Sequence, residues 1–365
     1  MILLDQQDIL RNSNRLDAII SGIYNYRAIK KLKKLFSLWK PDIVHIHSIA
    51  KALSFSIIYF VQKYKIPIVY TLHDYGLLCP NMGLYNYRKN CKCYFYKPKP
   101  FFKCFITNCD KRCYSQKLWR WIRYQISKYI FKVCKKIDGY ISVSNFSKDL
   151  FKDYLPLNKP LKLIHNPIEM VESKLENFVN NNSKITFIYI GRLSAEKGID
   201  LLINAIKEVE ANLVLIGDGE LFHYCKNISK KIGGGRIKLL GWQNETKIIT
   251  EMRKCNALVL PSKLLEPAPL SILEAASNNI PSIVANHGGL IEFVENNVSG
   301  LYFESNNIDS LKNSMNKIIK NPNLAIFLGN NAKEKFDKLN LRMKTHIEEL
   351  ENFYGIIITN KTYSK

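Results

Sequence analysis

Glutamate is absent from the first 168 residues of this 365-residue chain. Acids of any kind are scarce there. Residues 1–160 hold 9 aspartates against 29 lysines and arginines, a balance of +20, whereas residues 161–365 hold 22 acids against 25 bases, +3. A half so short of carboxylates draws anionic partners, so a membrane surface, a nucleic acid or a phosphorylated substrate is expected for it. Nucleic acid is set aside, because no nucleic-acid motif accompanies the charge. Long apolar runs are also missing. The longest nearly uncharged one, Ala52–Val61, has ten residues, about half of what spans a bilayer, which excludes a polytopic membrane protein. No secretory leader is visible, since Asp5, Gln6, Gln7 and Asp8 follow Met1 closely. The expected location is cytoplasmic, with peripheral contact to the inner face of the membrane. Repeats and low-complexity tracts are lacking. A composition of 47% apolar and 23% charged residues excludes disordered and collagen-like classes, and the length allows about two domains.

Cysteine is unevenly spread. Six of the nine (Cys79, Cys91, Cys93, Cys104, Cys109, Cys113) fall within 35 residues. In a reducing compartment free thiols are expected. The spacing is not a paired C-x2-C pattern, so no metal is assigned and zinc stays the alternative.

Short runs rich in Ile, Val and Tyr alternate with helical periods. They include Ile43–His47, Ile68–His73 and Tyr140–Val143, then Ile185–Ile190, Asn212–Gly217, Ile237–Leu240, Ala257–Leu260, Ser282–Ala285 and Leu301–Phe303. Most are apolar throughout, as strands buried on both faces are, and such strands belong to parallel sheets covered by helices. The expected class is α/β with doubly wound parallel sheets. Asn166-Pro167, followed by the polar stretch Glu172–Ser183, marks the domain boundary.

Three stretches carry chemistry. Gly191–Gly198, GRLSAEKG, follows a strand and opens a helix. Backbone N–H groups at such a junction suit phosphate, and Arg192 and Lys197 add two cations. The plain alternative is surface charge beside a turn. In the second stretch, PSKLLEPAPLSILEA, Glu266 lies in a loop and Glu274 eight residues on, in the first turn of a helix starting near Ser271. A carboxylate there can accept both hydroxyls of a ribose, while the helix-start amides of Leu270 and Ser271 face a phosphate. The alternative is a capping box, with Glu274 returning to the Ser271 backbone. The third stretch is Thr71–Tyr75, where His73 closes a strand, the place where ligands gather in open α/β sheets. His45 and His47 share one face of another strand and receive no role. Gly217 and Gly288-Gly289 also follow strands, where glycine permits close approach of a ligand or of backbone, a simple turn being the alternative.

The ordered set GRLSAEKG, LVLIGDGE, IKLLGW, PSKLLEPAPLSILEA and PSIVANHGG resembles the donor-binding domain of family-4 glycosyltransferases, which have the GT-B fold. PDIVHIH, YTLHDYGLLCP, ISVSNFSKDL and IHNPI extend the resemblance over most of the chain. It implies two Rossmann-like domains facing a cleft: an acceptor-side domain over 1–166 with a cysteine-rich insert at about 79–113, a nucleotide-sugar domain over 167–340, and a C-terminal helix and tail over 341–365 packing back on the first. It implies retaining transfer without a catalytic metal. A UDP- or GDP-sugar would be substrate rather than cofactor, and a glycan or lipid-linked molecule the acceptor. By position, Arg192 and Lys197 would hold the diphosphate, Glu274 the ribose and Glu266 the donor sugar. His73 would sit at the reacting centre, Gly217, Leu270 and Ser271 would line the nucleotide, and Asn166 would lie near the crossing. Losing one cation from such a clamp would cost about 10²–10³-fold in rate.

The resemblance breaks at the start. Family members begin with a strand, a glycine-rich loop and further strand–helix units before PDIVHIH. Here about forty residues precede it and Met1–Trp39 reads as polar and helical. The first domain is thus expected to be incomplete, and a catalytically weak nucleotide-binding remnant is the alternative function; an epimerase on the same fold is another. Residues 111–136 hold nine bases and no acid. Leu118, Ile122, Ile126, Tyr129, Ile130 and Val133 recur at helical spacing beside Trp119 and Trp121. This reads as one basic amphipathic helix, its apolar face on the core and its basic side toward anionic headgroups.

Overall fold

The computed structural model describes residues 14–49, 52–94, 101–169 and 184–363. It divides into two compact units, Met1–His165 with Ile347–Lys365, and Asn166–His346. The stretch Glu172–Ser183 lies outside the described residues.

The strands of the first unit are β1 (Val44–His47), β2 (Ile68–Leu72), β3 (Tyr85–Asn86), β4 (Cys91–Lys92), β5 (Gly139–Ser142) and β6 (Leu161–Leu163). Four form a parallel sheet in the order β1-β2-β5-β6, and β3 and β4 pair as a separate antiparallel hairpin. Every residue of β2 and β5 is buried, the polar Thr71 and Ser142 included. The helix Met343–Tyr363 buries Phe353 and Ile357 against Val69, Ile141 and Ile164 of this sheet. Lys361 at its far end donates to Asp138, which also takes Lys159. Residues 341–346 stay with the second unit: Leu341 is buried in that core and its carbonyl accepts from the Ile168 N–H.

The second unit has six parallel strands: β7 (Thr186–Ile190), β8 (Asn212–Ile216), β9 (Ile237–Gly241), β10 (Ala257–Leu260), β11 (Ser282–Ala285) and β12 (Gly300–Phe303), in the order β12-β11-β10-β7-β8-β9. Its core is built from strand residues such as Phe187, Ile188 and Leu258, and from helix faces such as Ile199, Leu202, Ile203 and Ile206. Those four helix positions repeat at three and four residues, so one stripe meets the sheet. Strand order reverses between β7 and β10, the position at which open α/β sheets gather ligands.

The stretch 111–136 is not one amphipathic helix. It forms a helix Tyr114–Gln125, a π-helical turn Ile126–Ile130, a left-handed residue at Lys132 (φ 49°) and a short helix Val133–Lys136. Its sides also differ from expectation. Lys117, Arg123 and Ser127 are buried, while Ile122, Tyr129 and Ile130 are 40%, 58% and 66% exposed. The π turn adds residues to one turn and shifts the phase of everything after it. The cysteine insert supplies a partner for the inward lysine, as the Lys117 ammonium donates to the Cys104 carbonyl. Arg123 lies over the Trp119 ring at 4.8 Å; burial and the charge of Arg120 pull it down to about 10, against the opposing charge of Asp74.

All nine cysteines are free thiols, and burial pushes Cys109 up to about 12. Among the described residues no three His, Cys, Asp or Glu side chains are arranged to hold a metal ion. Nor is any helix among them long and apolar enough to cross a membrane.

Candidate active site

In the second unit four loops meet at the carboxyl ends of β7, β8, β10 and β11. The loop after β7 runs through Arg192 into a 3₁₀ turn, Ala195–Lys197, and on into the helix Ile199–Lys207. Gly198 joins turn to helix at φ 75°, and a Cβ there would collide with the Pro261 carbonyl. Only glycine meets both demands, so the phosphate-type loop and the loop after β10 are in backbone contact. The Lys263 N–H donates to the Glu196 carbonyl at 2.9 Å, and the buried Lys263 ammonium pairs with Asp200 at 2.8 Å. Tyr189, on β7 beneath the loop, donates its hydroxyl to the Arg192 carbonyl at 2.8 Å. Burial raises that phenol, so it stays protonated and a donor. Gly217, after β8, lies so close to the Gly191 carbonyl that no side chain fits.

Two expected residues come together here. The Lys197 ammonium lies 2.5 Å from Glu266 Oε1, and Ser262 Oγ donates to the same oxygen at 2.6 Å. Glu266 is also held by its backbone, since its carbonyl accepts from the Gly289 N–H at 2.8 Å. The cation assigned to diphosphate and the carboxylate assigned to sugar are thus direct partners, which motif spacing did not show. Arg192 is exposed on the same loop as Lys197.

Glu274 is placed differently from expectation. The helix Leu270–Ser277 is capped by Pro269 with no side-chain cap bond. Ser271 is its second residue and Glu274 its fifth, so Glu274 lies in the second turn and the capping box does not form. A box needs its serine at the cap itself and its glutamate three residues later. Proline at the preceding position took the cap instead. Burial, then the charge of Glu245, raises the Glu274 carboxyl. Leu270 and Ser271 form the first turn, whose amides point out of the helix by construction.

His73 belongs to the first unit, in the loop after β2. Its Nε2 lies 2.8 Å from His47 Nδ1, and the rings stack at 5.1 Å. His45 Nδ1 meets the Tyr354 hydroxyl at 2.6 Å and its Nε2 the Thr71 hydroxyl at 2.7 Å. Asp74 accepts from the Gly76 N–H at 2.8 Å and from Ser48 Oγ at 3.3 Å, tying the loops after β1 and β2 together.

Sequence reading missed Ser262, Lys263, Asp200, His287, His47 and Tyr354. His287 Nε2 lies 2.9 Å from the Ser262 carbonyl, and it stood in plain view beside the glycines of NHGG. His47 carried a signal too, its shared face with His45. Tyr354 carried none, because it sits 309 residues from its partner His45.

A family model described as Glycosyl transferases group 1 matches residues 171–335, and one described as Glycosyltransferase Family 4 matches residues 13–171. An uncharacterized glycosyltransferase of Methanocaldococcus jannaschii is 32% identical over 57% of this chain and 57% of its own length. A second from that organism is 28% identical over 43% of each. The matches thus span about half the length of these two relatives. An Escherichia coli protein named UDP-Gal:alpha-D-GlcNAc-diphosphoundecaprenol alpha-1,3-galactosyltransferase is 26% identical over 97% of this chain and 87% of its own. Among solved structures, a sucrose-phosphate synthase from Thermosynechococcus elongatus superposes with a TM-score of 0.69 at 16% identity, covering 92% of this chain and 78% of that one. Anabaena HepE in complex with UDP and glucose superposes at 0.65 and 17% identity, covering 90% and 81%. The expected GT-B fold, with its two Rossmann-like parallel-sheet domains, is borne out. Together the two family models take in residues 13–335, and the chain belongs to the glycosyltransferases of family 4.

Proposed function

We propose that the chain is a retaining transferase that moves a hexose from a nucleotide-sugar to a lipid-linked or glycan acceptor in surface polysaccharide or glycolipid synthesis. The observation that carries this reading is the Lys197–Glu266 pair at 2.5 Å, which joins the loop after β7, also bearing exposed Arg192, to the loop after β10. Arg192 and Lys197 take the diphosphate and offset its growing charge as the sugar leaves, which removes the need for a divalent ion. Glu274 accepts the ribose hydroxyls, Leu270 and Ser271 offer amides, and Gly217 lets the loop after β8 close on the Gly191 carbonyl beside them. Glu266 orients the sugar, and His73 serves at the reacting centre. The nucleotide-sugar is a substrate, and no cofactor is required.

The relatives' names support a UDP-sugar donor over a GDP-sugar, and a diphospholipid acceptor. The +20 of residues 1–160 suits such an acceptor and an anionic inner membrane face. Exposed Ile122, Tyr129 and Ile130 beside Lys128 would enter the headgroup region, and the enzyme would work from the cytoplasmic side as a peripheral protein.

Calorimetric titration of the purified chain with UDP, GDP and ADP tests the reading. The expected result is selective binding of UDP, weakened about 10–100-fold by Arg192→Ala and by Glu274→Ala, the worth of one charge-assisted contact. A folded chain that binds none of the three overturns it.

A further inference from the structure

We propose that His47 is a positioning residue for His73: through one shared proton it fixes which nitrogen His73 presents beyond the end of β2. The catalytic consequence rests on the transferase reading above, whereas the geometry stands without it.

The sheet register explains why the two rings meet. β1 and β2 run parallel, with His45 opposite Val69 and His47 opposite Thr71. Each histidine bonds diagonally, to the residue two further along: His45 to Thr71 at 2.7 Å, His47 to His73 at 2.8 Å. Alternation puts His45 and His47 on one face, and the twist of the pair brings the diagonal positions together.

The row is anchored from below. Both ring nitrogens of His45 are engaged, one by Tyr354 from the helix Met343–Tyr363 and one by buried Thr71. The His45 ring packs on His47 with centroids 4.0 Å apart. His47 is thus backed by an imidazole that is itself held at both nitrogens. Its Nδ1 is committed to His73 Nε2.

Proton accounting then limits His73. The bond holds only when one of the two facing nitrogens carries hydrogen and the other a lone pair. If His47 Nδ1 donates, His73 Nε2 accepts and the proton of neutral His73 sits on Nδ1. If His73 Nε2 donates, its Nδ1 is bare and basic. A protonated pair with both facing nitrogens carrying hydrogen loses the bond and sets two charges side by side. An imidazole left to rotate would offer either nitrogen to a substrate; this one is held in orientation, with Nε2 toward His47, and its proton position is tied to that of His47, as a group that hydrogen-bonds or shuttles a proton needs.

Two substitutions separate bond from bulk. His47→Asn keeps an amide where Nδ1 lies, and His47→Phe keeps the ring and removes both nitrogens. His47 is exposed, so neither empties the core. Long-range ¹H–¹⁵N spectra of the full chain, with His73 assigned through His73→Gln, read the tautomer directly. The expected result is one dominant tautomer of His73 in the parent, retained in His47→Asn and scrambled in His47→Phe. With UDP-glucose or UDP-galactose, His47→Phe should lower kcat of donor turnover about 10–100-fold with KM within about twofold, and His47→Asn should recover most of the loss. An unchanged His73 spectrum in His47→Phe overturns the proposal. A scrambled tautomer with unchanged kcat overturns its catalytic part. A parent chain that turns over no donor would sink the transferase reading alone, because the spectra need no substrate.

Discussion

Lys197 and Glu266 show how one residue's role depends on another. The family resemblance gives the lysine to diphosphate and the glutamate to sugar, yet the two are in contact at 2.5 Å. On the proposed function an incoming diphosphate would compete with Glu266 for the ammonium. Removing the carboxylate's charge should therefore free the lysine. Glu266→Gln is expected to bind UDP as tightly as the parent or up to about tenfold tighter while losing about 10²-fold or more in transfer; Lys197→Ala is expected to lose about tenfold in UDP affinity. Calorimetry and a radiolabelled transfer assay read the two effects separately. Weaker UDP binding by Glu266→Gln would mean that the glutamate contributes to nucleotide binding instead of competing with it. The sequence placed Lys197 in the loop after one strand and Glu266 in the loop after another, which is where the structure has them. It could not show that the two pair, because the partners are 69 residues apart and meet only when β7 and β10 become neighbours.

Elements are held by side chains that the motifs do not mention. The helix Glu245–Met252 carries Glu251, a buried carboxylate that takes Lys238 from β9 at 2.9 Å, Lys254 at 3.1 Å and Lys247 at 3.2 Å. Burial alone would raise this carboxyl, but hydrogen bonds from the three lysines outweigh it and hold it at about 2. A depressed carboxyl contributes stability that is present above its unfolded value and lost as pH falls through the folded one. Stability should therefore decline between about pH 4.5 and about pH 2 by this route. Glu251→Gln should flatten that part of the acid limb, at the cost of lower stability near neutral pH. Chemical denaturation at a series of pH values checks this, and an unaltered acid limb in the variant would rule the cluster out as its cause. At this scale strand existence was legible, because strands buried on both faces write unbroken apolar runs. β6, with three half-buried residues, and the hairpin β3-β4, with two residues a strand, were not. The π turn at Ile126–Ile130 was also invisible, and it shifts the phase of the residues after it, whereas Lys117 and Arg123 are already turned inward in the helix before it.

For the molecule as a whole, charge and apolar exposure coincide on the first unit. Tyr129 and Ile130 are more than half exposed in a stretch with nine bases and no acid. Sedimentation with vesicles should show binding that requires anionic lipid and falls steeply with salt, since each basic residue near the surface contributes about 1 kcal/mol. A double change of Tyr129 and Ile130 to aspartate should weaken that binding by about tenfold or more without altering the nucleotide affinity of the second unit. Equal binding to neutral and anionic vesicles would refute the electrostatic part. The C-terminal helix works at the same scale. It leaves the second unit, buries Phe353 and Ile357 on the first sheet and brings Tyr354 to His45, so residues from both ends of the chain complete one unit.

The sequence by itself determined the class, the family and the loops that carry the candidate site residues. Those features are local: an apolar run, a glycine turn and a pair of cations are written within a dozen residues. The tertiary structure alone decided the Lys197–Glu266 pair, the failure of the Ser271–Glu274 cap, the inward turn of Lys117 and Arg123, and the histidine row ending at His73. Each depends on which strands become neighbours and in what register. That is settled by packing over the whole sheet, where a contact between distant residues leaves no mark in the local order of the chain.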